Sequence, residues 1–242
     1  QKLISSQKIS LSIIQDHLNI LLHDGKLNLT TGYYHLPDRA DIVNLRTHRT
    51  KISAKKYSQA KKIAHQLIHL PFIRAVFLTG TLAVSNASQG DDVDVMVITA
   101  PKSLFSGRFF VNLWLELHHQ RRRPQDNLVA DKICPNLFLT ENSLLVPINQ
   151  QNLYTAHEVV QALPIADPYN YHDAFLTLNS WAYLFLANSH PGQKYHKHFP
   201  HHFHSPVILE SIMRQVQLAY MKPKRTREII THDAAYFHPR DT

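Results

Sequence analysis

One segment in the first half of the chain constrains the fold more than any other. An apolar run, 73–78, leads directly into Gly80-Thr81, and after a short polar stretch a second apolar run occupies 93–99. Asp92 and Asp94 stand at the start of that second run. Short apolar, β-branched runs bounded by glycine predict strands, and the almost wholly apolar second run predicts a strand buried on both faces.

The two aspartates predict a cation site. Residues two apart on a strand point to the same face, so Asp92 and Asp94 are expected to project side by side. Neighbouring carboxylates repel each other, and inside a cleft they need a compensating cation. Mg²⁺ is hard, prefers oxygen ligands and shares its shell with phosphates. Gly80 permits close backbone approach and Thr81 offers a hydroxyl, so both are predicted to contact a phosphate chain.

The order of these features resembles the nucleotidyltransferase superfamily that includes DNA polymerase beta. The superfamily pattern is a strand, a glycine with a small polar residue, a short linker and Asp-x-Asp in the next strand; here it is Gly80-Thr81 followed by Asp92-Val93-Asp94, with Thr81 in place of the usual serine. The resemblance implies an α/β (α+β) fold with a small mixed sheet and flanking helices. It also implies that Asp92 and Asp94 are catalytic and hold Mg²⁺ (or Mn²⁺), with a nucleoside triphosphate as substrate.

One position departs from the superfamily pattern. A third carboxylate usually lies on a later strand, where it ligates metal and acts as general base. The matching strand here is 133–139, and Asn136 occupies the expected place, so Asn136 completes the predicted catalytic set. An amide ligates metal weakly and takes no proton at neutral pH. Three other carboxylates could substitute for it, namely Asp131, Glu116 and Glu158, or the enzyme could work with two carboxylates.

The resemblance implies a reaction and leaves two alternatives open. The implied reaction transfers a nucleoside monophosphate to a hydroxyl of an unidentified small molecule, RNA or protein. Lys102, Arg108 and the basic stretch 46–62 are the candidate cations for the phosphates, and the sequence does not choose among them. One alternative is a weak or inactive module of the same fold that binds nucleic acid or nucleotide, which Asn136 favours. The other is a component of a toxin–antitoxin pair.

Periodicity predicts the other elements of the chain. The expected helices and strands lie at 8–24 (helix), 27–36 (hairpin around Thr31-Gly32), 38–69, 103–120, 151–163, 172–187 and 206–222 (helices) and 132–140 (strand), and the tail after 222 shows no clear period. Pro135 within the last strand suggests an edge position or a bulge.

A second resemblance concerns the order of domains. Residues 8–140 and Asn179-Ser180-Trp181 resemble a group of uncharacterised bacterial proteins with a partial winged helix ahead of a nucleotidyltransferase domain. It implies a partial winged-helix segment at 1–37, a nucleotidyltransferase core at 38–150 and a helical C-terminal region at 151–242.

Composition narrows the partners and the location. The net charge of +8, from 26 basic and 18 acidic residues, favours polyanionic partners. The basic stretch 46–62 could contact nucleic acid, although a solvated helix face explains it equally well. No apolar run approaches the roughly 20 residues that span a bilayer, so no membrane association is expected. The first residues lack a signal-peptide pattern and Cys134 is the only cysteine, so a cytoplasmic protein is expected.

Three further features are interpreted structurally. Cys134 lies in an apolar run and is expected to be a buried, inert thiol. The cluster 121–123 of three arginines is interpreted as a cationic helix end, which the helix dipole favours, rather than as a phosphate site. The histidine-rich stretch 190–204 matches no zinc spacing and is expected to be a solvated loop.

Overall fold

The computed structural model describes residues 3–123, 125–189, 203–222 and 229–236 and confirms a mixed α+β fold. The histidine-rich stretch falls largely outside these residues. The elements in chain order are α1 (Leu11–His23), β1 (Asn28–Thr30), β2 (Tyr33–His35), α2 (Asp41–Leu67), β3 (Ile73–Leu78), α3 (Gly80–Ala83), β4 (Val93–Thr99), α4 (Leu104–Leu117), β5 (Ile133–Thr140), α5 (Leu153–Gln161), β6 (Leu163–Ala166), α6 (Tyr171–Leu178), α7 (Val207–Met221), β7 (Ile229–Ile230) and β8 (Ala234–Tyr236).

The main sheet has six strands in the order β6-β3-β4-β5-β8-β7. Only β4 and β5 run parallel, and the other neighbours are antiparallel. Every residue of β3 is buried, as are all residues of β4 except Asp94. The prediction that both apolar runs form central strands is therefore confirmed, and their bounds match the expected ones.

Helices cover both faces of the sheet. On one face, Val76 and Leu78 of β3 share a core with α2 and α4. On the other face, Ala75 and Phe77 pack with residues of α5 and α6. Gly107 fits α4 closely to the sheet, because a Cβ there would lie 2.8 Å from the Thr99 side chain. This alternation follows from the two-residue period of a strand.

The N-terminal helix and hairpin appear as expected. Strands β1 and β2 pair antiparallel around Thr31 and Gly32, whose φ angles of 47° and 82° suit a tight hairpin turn. Ser10 caps α1 by accepting a hydrogen bond from the amide of Ile13. None of the α1 residues is buried.

The region after residue 150 differs from the prediction in three places. The helix expected over 151–163 ends at Gln161, and β6 then pairs with β3 at the sheet edge, where Pro164 lacks the donor that an inner strand needs. The helix expected over 172–187 ends at Leu178 and continues as short 3₁₀ turns. The tail contributes β7 and β8, which extend the sheet from β5.

The C-terminal region is therefore only partly helical, since it supplies the strands on both sides of the central three. The division into three parts stays a prediction. Among the described residues, no helix combines the length and the apolar character that crossing a bilayer requires.

Candidate functional site

The end of β3 and the start of β4 form the centre of the site. Gly80 has a φ of +61°, a conformation that glycine adopts without strain. A Cβ at this position would lie only 2.6 Å from Asp94 Oδ2, so the missing side chain is what lets the turn approach the carboxylate. The amide of Thr79 donates to the Asp94 carbonyl at 3.1 Å and holds the two segments together.

Asp92 and Asp94 lie on the same side of the sheet, together with a residue of the neighbouring strand. The parallel pairing of β4 with β5 places Cys134 opposite Asp94. One ligand atom from each of Asp92, Asp94 and Cys134 lies within 4.8 Å of the other two. Among the described residues, this is the only group of three or more acidic, histidine or cysteine side chains that is close enough to share an ion.

Asn136 contacts the pair directly. Its Nδ2 donates a hydrogen bond to Asp94 Oδ1 at 2.8 Å. Asn136 is the extra residue of a bulge, because Val95 pairs with Pro135 and the next pair joins Met96 to Leu137. A bulge tolerates Pro135, which has no amide proton to donate to the neighbouring strand. Sequence reasoning thus selected a residue that the structure brings to the aspartates.

The electrostatics of the pair show an incompletely compensated negative charge. Burial, and then the charge of Asp92, raise the pKa of Asp94 to about 7. Burial also raises the pKa of Asp92, while the charge of Arg122 opposes that change. A carboxyl with a pKa this high is one whose surroundings offer too little positive charge.

Arg122 forms an ion pair with Asp92. Its Nε lies 3.3 Å from Asp92 Oδ2, and both side chains are mostly buried. Its amide donates to the Ile133 carbonyl, which fixes the segment after α4 against β5. The arginine cluster was interpreted as a cationic helix end, but α4 ends earlier, at Leu117. Arg122 instead contacts Asp92. The spacing of residues around Arg122 does not predict its contact with Asp92, because the contact depends on how the segment after α4 packs against β5.

The loop between α3 and β4 is fastened to α2 by a buried lysine. Lys56 is 3% exposed, and its Nζ donates to the carbonyls of Asp91 at 2.7 Å and Gln89 at 3.2 Å and to Asp131 Oδ1 at 2.6 Å. Sequence reasoning grouped the nearby lysines of α2 as a solvated or nucleic-acid-binding face and missed this role. The sequence signal for this role is that Lys56 stands at a position of α2 that faces the sheet.

Thr81 faces the same loop. Its hydroxyl donates to Asp91 Oδ2 at 3.3 Å, and the amide of Ser88 donates to the same oxygen at 2.9 Å. Thr81 therefore lies beside Gly80 and also helps to order the loop that leads into Asp92 and β4.

The three carboxylates considered as substitutes for a third acid have different surroundings. Asp131 binds Lys56, and Glu116 pairs with Arg121 at 3.5 Å and with Arg123. Glu158 of α5 lies close enough for its charge to contribute to the raised pKa of Asp94. Of these three acids, Glu158 is thus the one whose charge acts on the pair.

Lys102 and Arg108 are not brought together with the aspartates. Lys102 follows the C-terminal end of β4, whereas Asp94 is near its N-terminal end. Arg108 donates to Gln217 Oε1 of α7 at 2.5 Å, and burial lowers its pKa to about 10. Arg108 therefore joins α4 to α7.

The donor set suits a divalent cation. Asp92 and Asp94 supply carboxylate oxygens, and the amide of Asn136 can turn its oxygen toward the same space. The raised pKa of Asp94 shows that a cation would relieve an existing electrostatic cost. We therefore regard the residues present as a fit to the Mg²⁺ (or Mn²⁺) that the resemblance implies.

Comparisons with known proteins add little to this site. No family model matches the chain, and no curated protein sequence matches it. One solved structure, described as a crystal structure of "the toxin-antitoxin with AMP-PNP", is 11% identical, has a TM-score of 0.30, and covers 68% of this chain and 94% of its own. At this level of similarity the likeness carries no argument about fold or function.

Proposed function

We propose that the chain is a Mg²⁺-dependent nucleotidyltransferase that moves a nucleoside monophosphate from a nucleoside triphosphate to a hydroxyl acceptor. One observation carries the proposal: the glycine turn at Gly80 lies so close to Asp94 that no side chain fits between them, and a carboxylate oxygen of Asp92 lies within 4.8 Å of one of Asp94. The raised pKa of Asp94 supports it, because a buried pair of carboxylates is costly unless the site binds a cation.

Each residue of the site has a role in this proposal. Asp92 and Asp94 would hold the ion, which when bound would neutralise charge on the phosphates. Asn136 orients Asp94 through its hydrogen bond. Arg122 holds Asp92 in place before the ion binds and is a second cation near the phosphates. Gly80, which has no side chain, lets the backbone of the turn approach Asp94.

Glu158 is the candidate for accepting the proton of the acceptor hydroxyl. An Asn at position 136 cannot do so. Of the three carboxylates considered as substitutes, Glu158 is the one whose charge reaches Asp94.

Labelled transfer tests the proposal directly. The full chain would be incubated with Mg²⁺, each α-labelled nucleoside triphosphate and RNA, small-molecule and protein acceptors, including the chain itself. We expect label transfer that Asp92→Asn and Asp94→Asn each abolish. Asp41→Asn is the matched control, because its side chain is 75% exposed on the first turn of α2 and far along the chain from the site. Transfer that persists in both site variants would refute the proposal.

A second candidate function is nucleic-acid binding without catalysis. Lys51, Lys55 and Lys62 are exposed on α2, and at about 100° per residue they lie within about 40° of one another around the helix. Together with Asn136 in place of an acid, this lysine face favours a binding module. The expected signature is salt-sensitive RNA or DNA binding that Lys→Gln changes at these three lysines weaken and Asp92→Asn leaves intact.

A further inference from the structure

Cys134 belongs to the same cluster as the aspartates, although the transfer reaction does not use it. Its register partner across the parallel β4–β5 pair is Asp94, and paired residues project to the same side. The side chain is 7% exposed, and its Sγ lies within 4.8 Å of a carboxylate oxygen of each aspartate. A buried thiol held against two carboxylates is a different environment from the purely apolar one expected from the sequence.

The ligand atoms of the cluster lie close to the spacing that one small ion requires. A tetrahedral zinc ion holds oxygen ligands at about 2.0–2.2 Å and sulfur at about 2.3 Å, so two ligands of one ion lie roughly 3.3–3.8 Å apart. The ligand atoms of Asp92, Asp94 and Cys134 all lie within 4.8 Å of one another. Small rotations of these side chains therefore suffice to bring all three to a single centre.

The thiol distinguishes two classes of cation by their affinity for sulfur. Mg²⁺ prefers oxygen and has no use for a sulfur ligand, whereas Zn²⁺ and similar ions bind thiolate strongly. The 242-residue sequence contains no second cysteine, so Cys134 has no disulfide partner within the chain. The position of Cys134 beside both aspartates therefore gives the site a preference for ions that bind sulfur, which the carboxylates alone lack.

We infer that Asp92, Asp94 and Cys134 form a binding site for a thiophilic divalent cation of the Zn²⁺ type, which excludes Mg²⁺ from the same aspartates. On binding, the Sγ–H bond breaks, an Sγ–metal bond forms and the proton passes to solvent. Resting on the proposed function, the consequence is that Zn²⁺ inhibits nucleotidyl transfer by occupying the carboxylates with an ion whose third ligand is the thiolate.

Cobalt provides the test, because it substitutes for zinc and its bond to sulfur absorbs in the near ultraviolet. Titration of the full chain with Co²⁺ is expected to produce this sulfur-to-cobalt band, and Zn²⁺ is expected to abolish it by displacement. Cys134→Ser removes the band and lowers Zn²⁺ affinity at least about tenfold. The 18 histidines of the sequence can bind Co²⁺ elsewhere, but they do not give a sulfur band.

A measurement on the unaltered chain guards against misfolding of the variant. X-ray absorption of the Zn²⁺-loaded protein is expected to show one sulfur at about 2.3 Å with oxygen or nitrogen neighbours. A shell without sulfur, or a Co²⁺ spectrum without the band, overturns the inference. Neither result affects the proposed transferase activity. That proposal fails separately if the protein shows the sulfur band but no Mg²⁺-dependent labelling.

Discussion

The amide of Asn136 donates a hydrogen bond to Asp94, the more deeply buried of the two paired aspartates, at 2.8 Å. The amide satisfies one carboxylate oxygen without adding charge. It therefore limits the repulsion in the cluster, and it also leaves the site with two carboxylates where the superfamily that the sequence resembles usually has three.

Asn136→Asp is expected to strengthen metal binding and to weaken the metal-free protein. A third carboxylate adds a ligand, so Mn²⁺ affinity should rise by about tenfold, while added repulsion should lower the free energy of unfolding by roughly 1–3 kcal/mol. Calorimetric Mn²⁺ titration and urea unfolding measure the two effects. Asn152→Asp, at the N-cap of α5 where Asp is equally suitable, is the control. Unchanged Mn²⁺ affinity would show that Asn136 does not face the ion.

Asp94→Asn is expected to change how stability depends on pH. The pKa of Asp94 is about 7 in the folded chain and about 3.9 when unfolded, so between these values only the folded chain keeps the proton. The unfolding free energy of the metal-free protein should therefore fall, by up to about 4 kcal/mol, as pH rises from about 4 to 7. Asp94→Asn should flatten this decline, and Asp41→Asn should preserve it. Identical pH profiles for wild type and Asp94→Asn would contradict the assignment.

Gly80→Ala is expected to damage both stability and metal binding. An alanine at φ +61° is strained, and its Cβ would lie 2.6 Å from Asp94 Oδ2. A loss of roughly 1–3 kcal/mol in unfolding free energy is expected, with Mn²⁺ binding reduced as Asp94 is displaced. Gly90→Ala is the matched control, because nothing lies within 4 Å of its added Cβ. Equal effects of the two changes would argue against a close approach at Gly80.

Lys56→Met is expected to loosen the loop that carries the aspartates. The change removes the donor for two backbone carbonyls and for Asp131, at a cost of about 3–5 kcal/mol. Chemical denaturation measures this loss, and hydrogen exchange of residues 84–92 should show faster opening. Lys55→Met, at the exposed neighbouring position, should change stability by less than about 0.5 kcal/mol. A small effect at Lys56 would mean that the loop holds its shape without the lysine.

The sequence predicted those parts of the molecule that depend on local pattern. The bounds of β3 and β4 follow from apolar runs that only a buried strand explains, and the shared face of Asp92 and Asp94 follows from the period of a strand. The short strand β6 was missed because Leu163–Ala166 continues directly from a helix and contains a proline. Strands β7 and β8 are too short to show any period.

The partners of the aspartates were less predictable. Arg122 and Cys134 reach them through the register of β5 beside β4, and Lys56 reaches the loop through the way α2 packs on it. These are relations between segments distant in sequence, and no spacing within one segment encodes them. Asn136 was found because the resemblance supplied the position of the third strand.

The order of strands in the sheet has a consequence for synthesis of the chain. β3, β4 and β5 leave the ribosome first, but the strands that flank them, β6 and β8, come from later residues. Until those arrive, both outer edges of the nascent three-stranded unit present open hydrogen-bonding groups, the condition under which edges join to other chains. A fragment that stops after Thr140 would keep those edges permanently and is expected to self-associate, because it lacks the later strands that cover them.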